Sequence, residues 1–354
     1  MSQVTPKCPY FARCGGCQHQ DKSYEQQIKQ KQEFLRVLYG QEVPIQAQDE
    51  PYNYRNRMDF VTTPQGVGLR GESWKDVVDV KECVIANQAI NQALSTVREW
   101  VEQHGIPLYD LQKHTGFLRQ VMIRAQTQTQ VTLVTADKRF KEEVALLAQQ
   151  LQATSVVWCI NNTQSNDSLG EQHRVYGEET ITLQLLDKEF VIDPYTFFQT
   201  SPCMAQQAIT AMKEHVPQGV VVHDLYCGVG VLGQTVAQRV VGVDNNPANI
   251  ARAKQNAALN DVQATYHCAD AAAWLQSQQP TIVIVDPPRA GLGVGAQTLL
   301  AAKPQTILYL SCNPKTQQRD LAYLTRDYKV TRLQAFDFFA HTNHVEVLAV
   351  LTRK

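Results

Sequence analysis

The chain has 354 residues, 44% of them hydrophobic and 19% charged, with 33 Lys+Arg against 34 Asp+Glu for a formal net charge of −1. That length predicts about two domains of roughly 150 residues each. No apolar run approaches the roughly 18 residues of a membrane span and the opening Met1–Lys7 lacks an apolar signal core, so a cytoplasmic protein with no membrane partner is expected. Near-zero net charge excludes capture of nucleic acid by a global positive field and leaves only local basic surface for it.

Nine cysteines, an odd count in a chain expected in a reducing compartment, argue against a disulfide framework. Cys8, Cys14 and Cys17 stand as Cys-x5-Cys-x2-Cys with Gly15-Gly16 in the short arm, and Cys83 follows in Lys81-Glu82-Cys83-Val84. Thiolates two residues apart can converge on one centre, and glycines remove Cβ crowding where backbone wraps it. The four are candidate ligands of a 4Fe–4S cluster or of a four-thiolate zinc ion. The remote fourth ligand and the lack of a second Cys-x2-Cys point to iron–sulfur. Cys159, Cys203, Cys227 and Cys268 read as small buried hydrophobes.

Residues 22–39 carry Tyr24, Ile28, Phe34, Leu35 and Leu38 among Lys and Gln, which predicts an amphipathic helix behind the cysteine arm. From about 52 to 190 the apolar runs are short: 58–62, 77–80, 121–124, 131–134 and 155–158, punctuated by Pro64-Gln65-Gly66 and Asn161-Asn162. They predict a strand-rich domain with helices at 87–104 and 139–152. From about 219 strands alternate with helices, the pattern of a parallel sheet covered on both faces. Strands are expected at 220–225, 240–244, 265–267, 281–286, 306–310, 329–336 and 344–351, with helices from Leu232 and from Asn246-Pro247. The predicted fold class is α/β: a Rossmann-like domain at 191–354, preceded by a strand-rich α+β domain at 49–190 and a cysteine arm with its helix at 1–48.

Gly228-x-Gly230-x-x-Gly233 after the strand at 220–225 is a nucleotide-type loop that dinucleotide oxidoreductases also share. Asp244 ends the next strand, where a carboxylate can accept both ribose hydroxyls. Three details favour S-adenosylmethionine over NAD: Asp224-x-Tyr226-Cys227-Gly228, Asp270 at the place of an adenine contact, and Asp286-Pro287-Pro288-Arg289 after the fourth strand. A plainer role for Asp244 and Asp270 is helix capping. Near the end, Cys312 in Ser311-Cys312-Asn313-Pro314 closes a predicted strand and Glu346 follows His344-Val345, a thiol and a carboxylate that suggest covalent catalysis with a separate base.

The ordered set Cys8/Cys14/Cys17/Cys83, Tyr54-Arg55-Asn56-Arg57-Met58, Phe197-Phe198-Gln199-Thr200, Asp224 to Gly228, Asp286 to Arg289, Ser311 to Pro314 and His341-Thr342-x-His344-x-Glu346 resembles the RNA (uracil-C5)-methyltransferase family over almost the whole chain. The resemblance implies S-adenosylmethionine and a 4Fe–4S cluster as cofactors. Gln199, Tyr226, Gly228, Gly230, Asp244, Asp270 and Asp286 fall at cofactor positions, Cys312 at the nucleophile and Glu346 at the base. Family members with the cysteine cluster mostly modify 23S rRNA, and an archaeal tRNA branch keeps it too, so 23S rRNA is the leading expected substrate and the tRNA T-loop the alternative. An iron–sulfur dinucleotide oxidoreductase is the reading from another class. The stretch before Cys8 is too short for the RNA-binding barrel called TRAM, and Val231 stands where some relatives carry a polar cofactor contact.

The implied reaction needs these residue types because uracil C5 is a poor nucleophile until a thiolate adds to C6. A base stacked in folded RNA must flip outward to reach such a thiol. Arg55, Arg57, Arg119, Arg124, Lys138, Arg139 and Lys141 are candidate phosphate contacts, with Tyr52 and Tyr54 as stacking faces. A monomer is expected.

Overall fold

The protein is described here from a computed structural model covering residues 4–73, 76–164 and 169–354; Met1–Gln3 of the opening stretch lies outside the described residues. The chain divides into two compact units, one of residues 1–23, 50–183 and 193–195, the other of 24–49, 184–192 and 196–354. Helix α1 (Tyr24–Tyr39) and strand β1 (Ile45–Gln46) therefore belong with the second unit rather than with the cysteine arm they follow. No helix among the described residues is long and apolar enough to cross a membrane.

The first unit is built on a seven-stranded sheet of β2 (Arg57–Thr63), β3 (Gly66–Arg70), β4 (Val77–Asp79), β5 (Leu118–Ala125), β6 (Thr129–Thr135), β7 (Ser155–Ile160) and β8 (Glu171–Gly177), in the order β4-β3-β2-β5-β6-β7-β8. All pairings are antiparallel except β6 with β7. That one parallel pairing needs a crossover, and α3 (Lys141–Gln150) supplies it. Helix α2 (Gln88–Gln103) is capped by Asn87, whose side chain accepts the Ala89 N–H, and buries Ile90, Leu94, Val97 and Trp100 on one face. The Trp100 indole donates to the Glu143 carbonyl of α3 at 2.7 Å.

After the hairpin β9 (Ile181–Leu185) and β10 (Lys188–Ile192), α4 (Pro202–Lys213) leads into the second unit's alternation. It runs β11 (Val221–Leu225), α5 (Val231–Val236), β12 (Arg239–Asp244), α6 (Pro247–Leu259), β13 (Gln263–Cys268), α7 (Ala271–Leu275), β14 (Ile282–Val285), α8 (Gly295–Ala302), β15 (Thr306–Ser311), α9 (Pro314–Leu324), β16 (Tyr328–Phe336) and β17 (Glu346–Arg353). The sheet order is β1-β16-β17-β15-β14-β11-β12-β13. Residues from β13 through β15 pair in parallel, whereas β17 runs antiparallel to both β15 and β16. Because successive strand side chains point to opposite faces, Val243, Val283 and Val285 pack with Leu275, Leu299 and Leu321 of α7–α9. Val240 and Tyr266 pack with Ile250, Ala253 and Ala257 of α6. Both faces are covered, as the near-continuous apolar strands require. β1, which adds in parallel to the free edge of β16, had no signal in two residues of sequence.

Candidate active site

Strand order reverses between β11 and β14, so their following loops diverge and leave a crevice beyond the carboxyl ends of the sheet. Tyr226–Gly230 follows β11, Asp244 ends β12, Asp270 follows β13, Asp286 follows β14 and Cys312 follows β15. Glu346 reaches the same end from the opposite direction. In the β15–β17 ladder Ser311 faces Val347, so Cys312 and Glu346 are the next positions in line. Topology thus gathers on one sheet end residues that lie more than a hundred positions apart.

The glycine loop divides its duties. Gly228 has φ +52° and open space where a Cβ would project, the room a ligand lying over the backbone needs. A Cβ on Gly230 (φ +87°) would instead strike the Gln234 amide and the Tyr266 hydroxyl, and one on Gly233 would sit 2.8 Å from Val240 and 2.9 Å from Asp224, so these two serve packing. Tyr226 adopts φ +63°, an uncommon left-handed conformation for a non-glycine residue. Asp244 Oδ2 accepts the Gly228 N–H at 3.0 Å, while its Oδ1 accepts from Asn246 N–H and Asn249 Nδ2. Asp244 shapes the loop and is not a cap, that duty falling to Asn246 for α6. Asp270 is exposed and caps α7 by accepting the Ala273 N–H at 2.8 Å. Asp224 is buried; its Oδ2 accepts the Gly233 N–H, its Oδ1 has no partner among the described residues, and burial pushes its carboxyl up to about 7. An unpartnered buried carboxylate oxygen on the strand that leads into the glycine loop fits a cationic or hydrogen-bonding ligand in this crevice.

Thiol and carboxyls crowd the next stretch of the same sheet end. Burial raises Asp286 to about 7, against a hydrogen bond from Gln199, and Glu346 stands well above the usual carboxylate range through burial and then the nearby Asp286 charge. Two such acids cannot both ionise cheaply, so the pair retains a proton near neutral pH. Burial, then Glu346 and Asp286, push the Cys312 thiol up to about 11, with Arg289 pulling the other way. Gln199 and Glu346 are buried and Cys312 is half-buried. The His344 ring lies 3.4 Å from the Arg289 guanidinium, and buried His341 accepts φ +66° with its N–H donated to Gln27.

Sequence reasoning missed what holds these loops. Asn313 Nδ2 and Thr316 Oγ1 both donate to the Arg289 carbonyl, tying the loop after β14 to the one after β15. Buried Asp320 accepts from the Leu292 N–H at 2.7 Å and the Tyr309 hydroxyl at 2.8 Å. Nothing in the linear context of Arg319-Asp320 marks it, since such a pair on a helix is normally a solvated face.

In the first unit, Cys8, Cys14, Cys17 and Cys83 border one cavity of about 480 Å³. Burial raises Cys14, raises Cys17 to about 12 and Cys83 to about 11, and mutual like-charge repulsion adds to all three. Of the two glycines, Gly16 faces the Cys14 sulfur, 3.5 Å from where its Cβ would sit, while Gly15 serves differently from the expectation. A Cβ on Gly15 would strike the Gly71 carbonyl, and the Gly15 N–H donates to Arg70 O at 2.9 Å, so Gly15 lets two backbones touch. Among the described residues no group of three or more His, Cys, Asp or Glu closes tightly enough to grip a metal ion. Neither the zinc nor the iron–sulfur expectation for the four cysteines finds a closed ligand set there. The donor type and the shared cavity still fit a group larger than one ion. Two expected phosphate contacts are corrected as well. Buried Arg119 donates to the Asn161 and Thr163 carbonyls and lies over the Tyr109 ring, and buried Arg124 donates to the Asp193 carbonyl, so both are interior ties.

Residues 271–354 match the family described as tRNA (Uracil-5-)-methyltransferase, and residues 205–306 match the methyltransferase small domain. The chain is 37% identical over 358 residues to a tRNA (uracil(54)-C(5))-methyltransferase of Pyrococcus horikoshii, a match spanning 99% of this chain and 86% of that protein. It is 31% identical over 389 residues to an uncharacterized RNA methyltransferase of Staphylococcus aureus strain N315, spanning 100% of this chain and 85% of the relative. The crystal structure of Pyrococcus abyssi tRNA (uracil-54, C5)-methyltransferase in complex with S-adenosyl-L-homocysteine superposes with a TM-score of 0.87 at 32% identity, covering 99% of this chain and 88% of that one. The relatives just cited that state a substrate state tRNA, so the expected 23S rRNA substrate is not confirmed and the tRNA alternative is the better backed of the two. The chain belongs to the RNA (uracil-C5)-methyltransferase family.

Proposed function

We propose that the protein methylates C5 of a uridine in tRNA, with S-adenosylmethionine as donor, Cys312 as nucleophile and Glu346 as base. The observation that carries the reading is the pairing of Cys312 with Glu346 at neighbouring ladder positions beside the glycine-loop crevice. The donor supplies an electrophilic methyl group on a sulfonium. Gly228 leaves room for it, and a cation bound there would draw the Asp224 and Asp286 carboxyls, both raised to about 7, into their ionised forms. Cys312 Sγ bonds to uracil C6, and the C5–C6 electron pair moves onto the ring carbonyl as an enolate, which Arg289 is near enough to the thiol to stabilise. C5 then takes the methyl as its bond to the sulfonium breaks and a neutral thioether leaves, Glu346 removes the C5 proton, and the Sγ–C6 bond breaks to re-form the C5–C6 double bond and restore the thiolate. Gln199, hydrogen-bonded to Asp286, keeps that carboxylate in register.

Incubation with tritiated S-adenosylmethionine and separate tRNA and 23S rRNA transcripts should label tRNA, at a single uridine carrying a C5 methyl. Label confined to the rRNA would overturn the substrate, and label at a position other than C5 would overturn the chemistry.

The cavity among Cys8, Cys14, Cys17 and Cys83 is assigned within this proposal to a 4Fe–4S cluster, because a cubane holds its four thiolates farther apart than a zinc ion does. No catalytic step passes through it. Protein purified without oxygen should contain iron and labile sulfide that Cys83→Ser loses; iron equal in both would withdraw the assignment.

A further inference from the structure

Helix α1 turns an unexpected stripe inward. Its buried residues are Gln27, Lys31 and Leu35, spaced i, i+4, i+8, whereas Phe34 stays on the surface. An ammonium and an amide are costly to bury unless partnered, and both find partners on the segment between β16 and Glu346. Lys31 Nζ donates to Asp337 Oδ1 at 2.6 Å and to the Phe339 carbonyl at 3.1 Å. Gln27 Oε1 accepts the His341 N–H at 2.9 Å, and its Nε2 lies 3.1 Å from the His341 ring. Tyr24 adds its hydroxyl to Asp337 Oδ2 at 2.8 Å.

The far end of the same helix holds the other loop. Tyr39 donates from its hydroxyl to Gln317 Oε1 at 2.6 Å and lies 3.3 Å from the Pro314 carbonyl, two residues past Cys312. Gln317 Nε2 in turn reaches the Tyr309 carbonyl of β15 and the Val347 carbonyl of β17, both at 2.9 Å, directly behind Cys312 and Glu346. One rigid helix therefore grips the carrier of the thiol at its C-terminal end and the carrier of the carboxylate along its first two turns. Apolar residues would have sufficed for packing alone.

We propose that α1 is a brace that sets the spacing of the catalytic pair, with Lys31 and Gln27 as positioning residues for Glu346 and Tyr39 as the positioning residue for Cys312. The proposal rests on the roles given to that pair above. Its distinctive consequence is a division of defects along one helix. Loosening the Glu346 side should slow resolution of the covalent RNA adduct, and loosening the Cys312 side should slow its formation.

The test uses full-length Lys31→Met, Gln27→Met and Tyr39→Phe proteins, with Glu346→Gln as reference. It measures affinity for S-adenosylhomocysteine, turnover at saturating tRNA, and the fraction of protein covalently joined to RNA on denaturing gels. Lys31→Met and Gln27→Met should keep cofactor affinity within about twofold, lose roughly ten- to a hundredfold in turnover and accumulate adduct, while Tyr39→Phe should lose turnover with less adduct than wild type. Gln27→Met leaves no buried charge behind and answers the question if Lys31→Met fails to fold. Wild-type turnover in folded Gln27→Met would overturn the brace, as would parallel loss of cofactor affinity, adduct and melting temperature. If Glu346→Gln itself accumulates no adduct, the base assignment falls instead. The brace is then supported by a turnover loss at unchanged cofactor affinity and overturned by its absence.

Discussion

Cys312→Ala protein is expected to bind S-adenosylhomocysteine and tRNA like wild type yet transfer methyl groups at less than about one ten-thousandth of its rate, because a nucleophile that forms a covalent intermediate has no substitute in the site. The crevice at the glycine loop is built by Gly228, Asp224 and Asp244, none of which Cys312 touches through a hydrogen bond, so binding should survive. The thiol rests near 11 because it is half-buried beside Glu346 and Asp286. At neutral pH the thiolate is therefore a small minority form. A sulfonium placed among those carboxylates opposes this, which makes adduct formation strongly dependent on the presence of the donor. Gel analysis of protein mixed with tRNA, with and without donor, checks both points. Appreciable turnover by Cys312→Ala would remove the covalent route.

Glu346→Gln separates the two halves of the reaction. The amide is nearly isosteric and keeps the buried position at the start of β17, but it cannot take the C5 proton. Turnover should fall by roughly 10²–10⁴-fold while a methylated, covalently bound RNA accumulates. The pH dependence has a defined sign. Burial and the Asp286 charge hold the Glu346 carboxyl above its usual range, so its base form grows as pH rises out of the acid range. Decay of the wild-type adduct should accelerate with rising pH, and Glu346→Gln should lose that limb. Fast, adduct-free turnover by the variant would reassign the base.

The regular elements of the second unit were readable because its strands are buried on both faces and appear as continuous apolar runs, such as Ile282–Val285 and Ile307–Leu310. The candidate site was readable for a related reason. Parallel strands deliver their C-terminal loops to one end, so Tyr226–Gly230, Asp244, Asp286 and Cys312 had to gather there. What escaped depends on contacts between distant segments. Lys31 and Gln27 look like solvated helix residues until Asp337 and His341 arrive from some 300 positions away, and β1 exists only because β16 offers an edge. Arg119 and Arg124 looked like RNA contacts because a sequence cannot reveal that backbone carbonyls will absorb a guanidinium. Asp270 illustrates the limit in the other direction: placed as a cofactor contact from sequence, it is an exposed helix cap whose carboxylate accepts the Ala273 N–H.

In the proposed reaction the sulfur of Cys312 bonds to C6 of the target uracil. A tRNA carrying 5-fluorouridine has no C5 proton for Glu346 to remove, so the reaction should halt after methyl transfer, with enzyme and RNA still joined. Digestion of that complex followed by peptide mass spectrometry detects that bond directly. The expected product is a nucleotide bearing both fluorine and the new methyl group, attached to the peptide containing Ser311-Cys312-Asn313. Attachment at any other residue, or methylated product released with no covalent species, would contradict it.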